Sequence, residues 1–247
     1  MKRWSLLAIG LGAYALALIA TAPATLVDAS LQRASAGRLR LAEAQGTLWS
    51  GTGQLEIRDA GGRTGVAKTL DWRVMPGSLL RGHLVCEVGL EQAAKRFPVT
   101  ISLSRIDLAN ADINLPAAVL GLGVPKLAPL GLTGDVLVHV TALSIGRNAT
   151  RGSATLQWRS ASSALTPVSP LGDYELRIEG EGPVVRAALL TLQGPLQLDG
   201  KGSWTHGDSP AFLAIARVPL QHQQQLAPLL RLIAVERGDG SFELQLK

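Results

Sequence analysis

Residues 68–91 read KTLDWRVMPGSLLRGHLVCEVGLE, and the reading of this stretch decides the fold. Leu84, Cys86, Val88 and Leu90 recur at every second position, which lines one face of an extended strand. A helix would instead place its apolar residues three and four apart. Upstream, Leu70-x-Trp72-Arg73 has the same two-residue step, and Pro76-Gly77-Ser78 separates the two runs with turn chemistry. The stretch is therefore strand, connection, strand.

The unit recurs. ATLQWRSASSALTPVSPLGDYELRIEGE (154–181) sets Leu156-x-Trp158-Arg159 where the first copy has Leu70-x-Trp72-Arg73, then runs through a Pro/Ser/Gly connection into Tyr174, Leu176 and Ile178. GPLQLDGKGSW (194–204) is a shortened third echo ending in Trp204. Such self-similarity points to a repeated β-meander, with halves at residues 40–115 and 128–247. Alternation continues in Val99, Ile101 and Leu103, in Val136, Val138 and Val140, in Phe212, Ala214 and Ala216, and in Phe242 and Leu244. Between Leu103 and Ile106 it slips by one residue, which marks a bulge or a bend.

Opposite these faces the strands are only weakly polar. Val85 and Leu137 stand among residues that a one-sided sheet would make hydrophilic. A sheet curled around its own apolar face satisfies that pattern. The expected fold is thus mainly β: a curved antiparallel sheet with an internal repeat and one or two short helices. LPAAVLGLG (115–123) reads as a short helix or capping turn. PLQHQQQLAPLLRLIAVER (219–237) places Leu226, Leu229, Leu230 and Ile233 on one helical face, with Pro228 expected to split or kink the run.

Composition agrees with a strand-rich chain. Of 247 residues 47% are apolar but only 4% aromatic, and Gly 27 with Pro 13 supplies many turns. The formal charge is +5, and Lys2 and Arg3 lie ahead of the main body. What remains is too weak and dispersed for a nucleic-acid surface, which needs clustered cations and stacking aromatics. One cysteine, Cys86, excludes an internal disulfide, and its place among Leu84 and Val88 makes it a core thiol.

The N-terminus carries a second signal. From Trp4 to Val27 there is no charged residue, and a helix of that length rises roughly 36 Å against a hydrocarbon core of about 30 Å. Ala22-Pro23-Ala24 would also suit a signal-peptidase site. The length of the run and an interfacial Trp4 favour an uncleaved anchor. Residues 1–27 are therefore expected to be a cytoplasmic tip and a transmembrane helix, with residues 28–247 on the far side of the membrane.

Catalytic chemistry was sought motif by motif. GTLWSGTG (46–53) has Leu48 where a nucleophile elbow needs glycine two residues before Ser50. GPLQLDGK (194–201) spaces its glycines one residue too far for a phosphate loop, and Gly202 replaces the hydroxyl residue that should follow. GLGVPK (121–126) has Lys126 where a third glycine belongs. His83, His139, His206 and His222 show no metal-ligand spacing, and no carboxylate pair stands out. Trp49, Trp72, Trp158 and Trp204 read as packing anchors beside turns. No catalytic, cofactor-binding or metal residue is named, no cofactor is expected, and the chain reads as a non-enzyme.

In order, GTLW-S-G (46–51), LDWRVMPGSLLRG (70–82), LGLTGDVLVHV (130–140), LGDYELRI (171–178) and GPLQLDGKGSW (194–204) resemble type II secretion system protein N, also called general secretion pathway protein N. The family commonly has Asn-Gly after the tryptophan of GTLW; here Ser50-Gly51 stands instead, which a turn tolerates. The resemblance implies a single-pass inner-membrane protein with its N-terminus in the cytoplasm and a periplasmic β-domain. It would be an accessory component supporting export of folded proteins across the outer membrane. Its implied partners are other subunits of the secretion system and the inner membrane, with lipid as a further candidate and no nucleic acid. The family is also similar to AsmA-like proteins with apolar β-grooves, so the alternative function is a lipid-binding or lipid-guiding β-module without enzymatic activity.

Overall fold

The computed structural model describes residues 2–59, 64–91, 95–205, 208, 211–237 and 241–246. His206 lies outside them. Fourteen strands form one antiparallel sheet. They are β1 (Leu39–Gly46), β2 (Ser50–Arg58), β3 (Thr64–Met75), β4 (His83–Leu90), β5 (Phe97–Ser102), β6 (Arg105–Pro116) and β7 (Leu132–Gly146). Then come β8 (Thr150–Ser163), β9 (Gly172–Gly182), β10 (Val184–Gln193), β11 (Gln197–Thr205), β12 (Phe212–Arg217), β13 (Val235–Glu236) and β14 (Phe242–Leu246). Neighbours in the sheet are neighbours in sequence until β12, which pairs with β14, leaving β13 at the edge. Among the described residues the α-helices that accompany it are α1 (Lys2–Ala20), α2 (Thr25–Ala34), α3 (Ala118–Gly123) and α4 (Leu220–Ile233).

The stretch 68–91 folds as its pattern requires. β3 and β4 pair with Trp72 opposite Val88 and Val74 opposite Cys86, and a 3-10 turn, Pro76–Arg81, joins them. Pro76 opens that turn with its fixed φ, and Gly82 at φ 76° closes it. Ser78 is buried there, its hydroxyl donating to the Met75 carbonyl and accepting the Val85 N–H at 3.0 Å. The slip between Leu103 and Ile106 is the tight turn from β5 to β6. Pro228 does not divide the C-terminal helix. α4 runs through it for 14 residues, and the burial of Leu226, Leu229 and Leu230 outweighs the one missing N–H.

Two expectations need correction. Among the described residues no helix is long and apolar enough to cross a membrane. The run from Trp4 to Val27 is not one helix: α1 stops at Ala20, and its 19 residues rise only about 28 Å, cations at Lys2 and Arg3 included. Pro23 then leaves the helix for a β-bridge with Thr47. Leu48 N–H donates to the Ala22 carbonyl and Ala24 N–H to the Gly46 carbonyl, so this linker belongs to the sheet. The anchored, single-pass inner-membrane placement falls with that helix.

The sheet, too, is neither curved nor closed. β1 and β13 are its two separate edges. It has no need to roll up, because helices roof its apolar face. Val27 and Leu31 of α2 cover a cluster of Ala24, Leu41, Trp72 and Val74. At the other end α4 and the segment 117–132 cover a larger cluster around Val136, Leu171, Ala216, Leu226 and Leu230. Between them Phe97, Ala111 and Val140 are buried among half-exposed neighbours.

Candidate functional site: an apolar cavity beneath two helical segments

The register of β8 to β14 builds one apolar floor. Leu156, Leu176, Leu189, Gly200, Ala214 and Leu244 stand opposite one another across six strands. A second row runs through Ala154, Ile178, Ala187, Gly202 and Phe212. Because side chains alternate across a strand, Glu175, Arg177 and Glu179 point to the other face. The small residues in these rows have a visible purpose. A Cβ on Gly200 or Gly202 would come within 2.8 Å of the Phe212 ring, so the two glycines let that ring lie against β11.

Above this floor stand Leu229, Leu230 and Ile233 of α4, with Leu120 of α3 and Val124, Leu127 and Leu130 of the following 3-10 turn. The space enclosed is about 350 Å³. No charged residue lines it. Trp158 and Tyr174 in its wall meet ring to ring with centroids 5.7 Å apart, and both send their polar atoms away to backbone. The Trp158 indole donates to the Thr133 carbonyl at 3.1 Å and the Tyr174 hydroxyl to the Leu196 carbonyl at 2.9 Å. Burial, aided by the nearby Asp173 charge, pushes the Tyr174 phenol above its ordinary range, so it stays neutral. Leu156, Leu176, Ile178, Leu189, Leu198 and Phe212 remain only half-buried although they face inward. These walls offer an incoming molecule dispersion and dehydration, and nothing to bond.

Two depressions on the opposite face are wider, about 570 and 530 Å³, but lined in part by charged residues. Some of their charges are already paired: Arg177 Nε donates to Glu175 at 2.6 Å, and Arg186 pairs with Glu181. Gln157 also donates to Glu175 at 2.9 Å; these bonds, Gln157 first and then Arg177, hold its carboxyl below the usual range despite burial. With less apolar surface to remove from water, they are weaker ligand sites than the smaller cavity.

The residues weighed earlier for chemistry lie apart. In GTLWSGTG the Thr47 hydroxyl accepts the N–H groups of Trp49 and Ser50, which makes a turn. The Trp49 indole donates to the Ile19 carbonyl at 2.8 Å, and the Trp72 indole to the Leu48 carbonyl at 3.2 Å. Cys86 packs half-buried against the Trp72 cluster, and burial raises its pKa. His139 pairs across strands with Asp112 at 2.6 Å, His83 meets the Arg81 carbonyl, and His222 meets Gln225. Among the described residues no group of three or more His, Cys, Asp or Glu could hold a metal ion. Sequence reasoning found the apolar rows but not the hollow between them. Its signal was the small set Ala187, Gly200, Gly202 and Ala214 facing large residues at matched register.

Residues 37–245 match the family described as type II secretion system (T2SS), protein N. The chain belongs to this family. No curated protein and no solved structure matches it. Protein N of the type II system is a structural or accessory component, and the chain is not an enzyme. The fuller expectation, an accessory component held in the inner membrane and partnered by it, is overturned by the missing membrane-crossing helix.

Proposed function

We propose that the chain is a lipid-binding β-module that takes the acyl part of a lipid between its sheet and α4. The observation that carries this is the cavity of about 350 Å³ lined without a single charged side chain. That volume lies in the range of small-molecule sites, roughly 300–1,000 Å³. A packed core would close over Leu176, Leu189 and Phe212; here they are left half-buried around empty space. An uncharged lining selects a ligand whose inserted part has no polar group, because any such group would be stripped of water without a partner. Membership of the protein N family supports a binding role over a catalytic one.

Native mass spectrometry of the purified chain is the direct test. A bound acyl lipid should be present and should be displaced by a fluorescent fatty acid. Ala187→Phe, which puts a ring into the cavity, should abolish both signals in a chain that remains folded. A lipid-free protein that also takes up no fatty acid would rule the reading out.

A further inference from the structure

The apolar face does not end at the cavity. Through Val138 and Leu143 it passes to a row in which Leu84, Ile101, Ile106 and Ile145 stand opposite one another on β4, β5, β6 and β7. Leu84 leans on the Trp72 cluster, but Ile101, Ile106 and Ile145 are all exposed. In an antiparallel meander alternate connections share one end of the sheet. The turns at 47–49, 76–82, 103–104 and 147–149 therefore lie together beside the row. Leu80 in the second is 93% exposed and Leu103 in the third 98%. α1 reaches the sheet at this same end, bringing exposed Leu18 and Ile19.

Charge on these tips has one sign. The stretches PGSLLRGH (76–83), SLSRI (102–106) and IGRNATR (145–151) contain Arg81, Arg105, Arg147 and Arg151 and no acid. Only Arg105 among them has an ion pair within the described residues, with Asp107. The tips of the C-terminal region at the same end differ: EGEGPV (179–184) is acidic. Apolar patches of this kind on a folded surface mark contact sites. Protruding leucines ringed by arginines match an anionic bilayer surface, where leucine enters the acyl boundary and arginine meets lipid phosphate.

We infer that this end of the sheet docks on the surface of an anionic lipid bilayer through Leu80 and Leu103, with Arg81 and Arg147 on the headgroups. The contact is peripheral, made by turns. It builds on the cavity reading to the extent that the exposed row and the cavity lie on one continuous apolar face, a path for an acyl chain. The docking itself stands on the tips alone.

The test uses the full chain with Cys86→Ser and an environment-sensitive fluorophore on a single cysteine introduced by Leu103→Cys, Leu80→Cys or Leu192→Cys. Leu192 is exposed near the opposite end of the sheet. Vesicles of phosphatidylcholine with phosphatidylglycerol should blue-shift the probes at 103 and 80 and leave that at 192 unchanged. Added Leu80→Glu should weaken vesicle binding reported at 103 about tenfold. Arg81→Gln with Arg147→Gln should remove the preference for phosphatidylglycerol over pure phosphatidylcholine. Equal shifts at all three positions, or none at 103, would overturn the proposal. So would a shift that appears without vesicles and grows with protein concentration, which identifies a second copy as the occupant. Fatty-acid uptake measured on the same variants separates the two readings: failure of the cavity leaves the shift at 103 in place, and failure of docking leaves uptake in place.

Discussion

The regions around Trp72 and Trp158 are built on one local plan and end differently. Trp72 faces Gly51 across β2 and β3, and its indole donates to the carbonyl of Leu48, three residues before that partner. Trp158 faces Val136 across β7 and β8, and its indole donates to Thr133, again three residues before the partner. The two tryptophans thus share one local geometry. Around Trp72 the packing is solid: Ala24, Leu41, Trp72 and Val74 are all buried under α2. A Cβ on Gly51 would come within 2.5 Å of the indole, so the ring lies flat on β2 and fills the space itself. Around Trp158 a valine replaces that glycine, the ring is half-buried, and a cavity opens beside it. Whether the same geometry makes a core or a container depends on where the small residues sit.

The largest expected effect tests that contrast directly. Trp72→Ala should destabilise the chain by about 3–5 kcal/mol, the range for removing a large aromatic from a closed core. Trp158→Ala, which enlarges a hollow that exists already, should cost less than about 3 kcal/mol. Urea midpoints of the two variants decide it, and equal losses would mean that the two cores are equally packed.

Next comes the reverse manipulation. Val74→Phe forces a ring into the solid region and should cost about 1–3 kcal/mol through overpacking. Ala187→Phe inserts the same ring beside the cavity, where there is room, and should leave stability within about 1 kcal/mol of wild type. Fatty-acid uptake should respond the other way round, lost in Ala187→Phe and kept in Val74→Phe. A large stability loss in both would show that the cavity has no spare volume.

Much of this contrast was legible before any coordinates. Two-residue alternation located the strands. The cavity was not legible, because it depends on which small residue meets which large one. Gly200 meets Phe212 and Ala214 only through the register of β11 and β12, and alternation fixes the face a residue takes without naming its partner. The N-terminal run misled for a related reason. Hydropathy counts Ala22 to Ala24 toward a membrane span, whereas the Ala22 carbonyl and the Ala24 N–H are engaged by the turn at 46–48. The expected curvature failed because apolar residues on a strand do not reveal whether another strand or a helix covers them. Here α2 and α4 do so.

The smallest effects come from two carboxylates, one in each region. Asp28 of α2 accepts the Leu41 N–H of edge strand β1 at 2.8 Å. Burial opposes its charge, but bonds from Gln32 and Leu41, with Arg40 and Arg58 nearby, outweigh that and hold its carboxyl low. Glu175, on the polar face behind the cavity, is held low by Gln157 and Arg177. Both folded values lie below the unfolded ones of about 3.9 and 4.3, so each group's contribution is present above those values. It is lost as pH falls through the lowered folded pKa. Glu175→Gln should therefore leave the urea midpoint near wild type in acid below that folded pKa, lower it slightly at pH 7, and flatten the acid limb between them. Asp28→Asn should do the same less strongly, since only one of its bonds reaches the sheet. If the acid limb flattens in Asp28→Asn and persists in Glu175→Gln, the clamp of α2 on β1 yields first in acid, and the solid region is the less robust of the two.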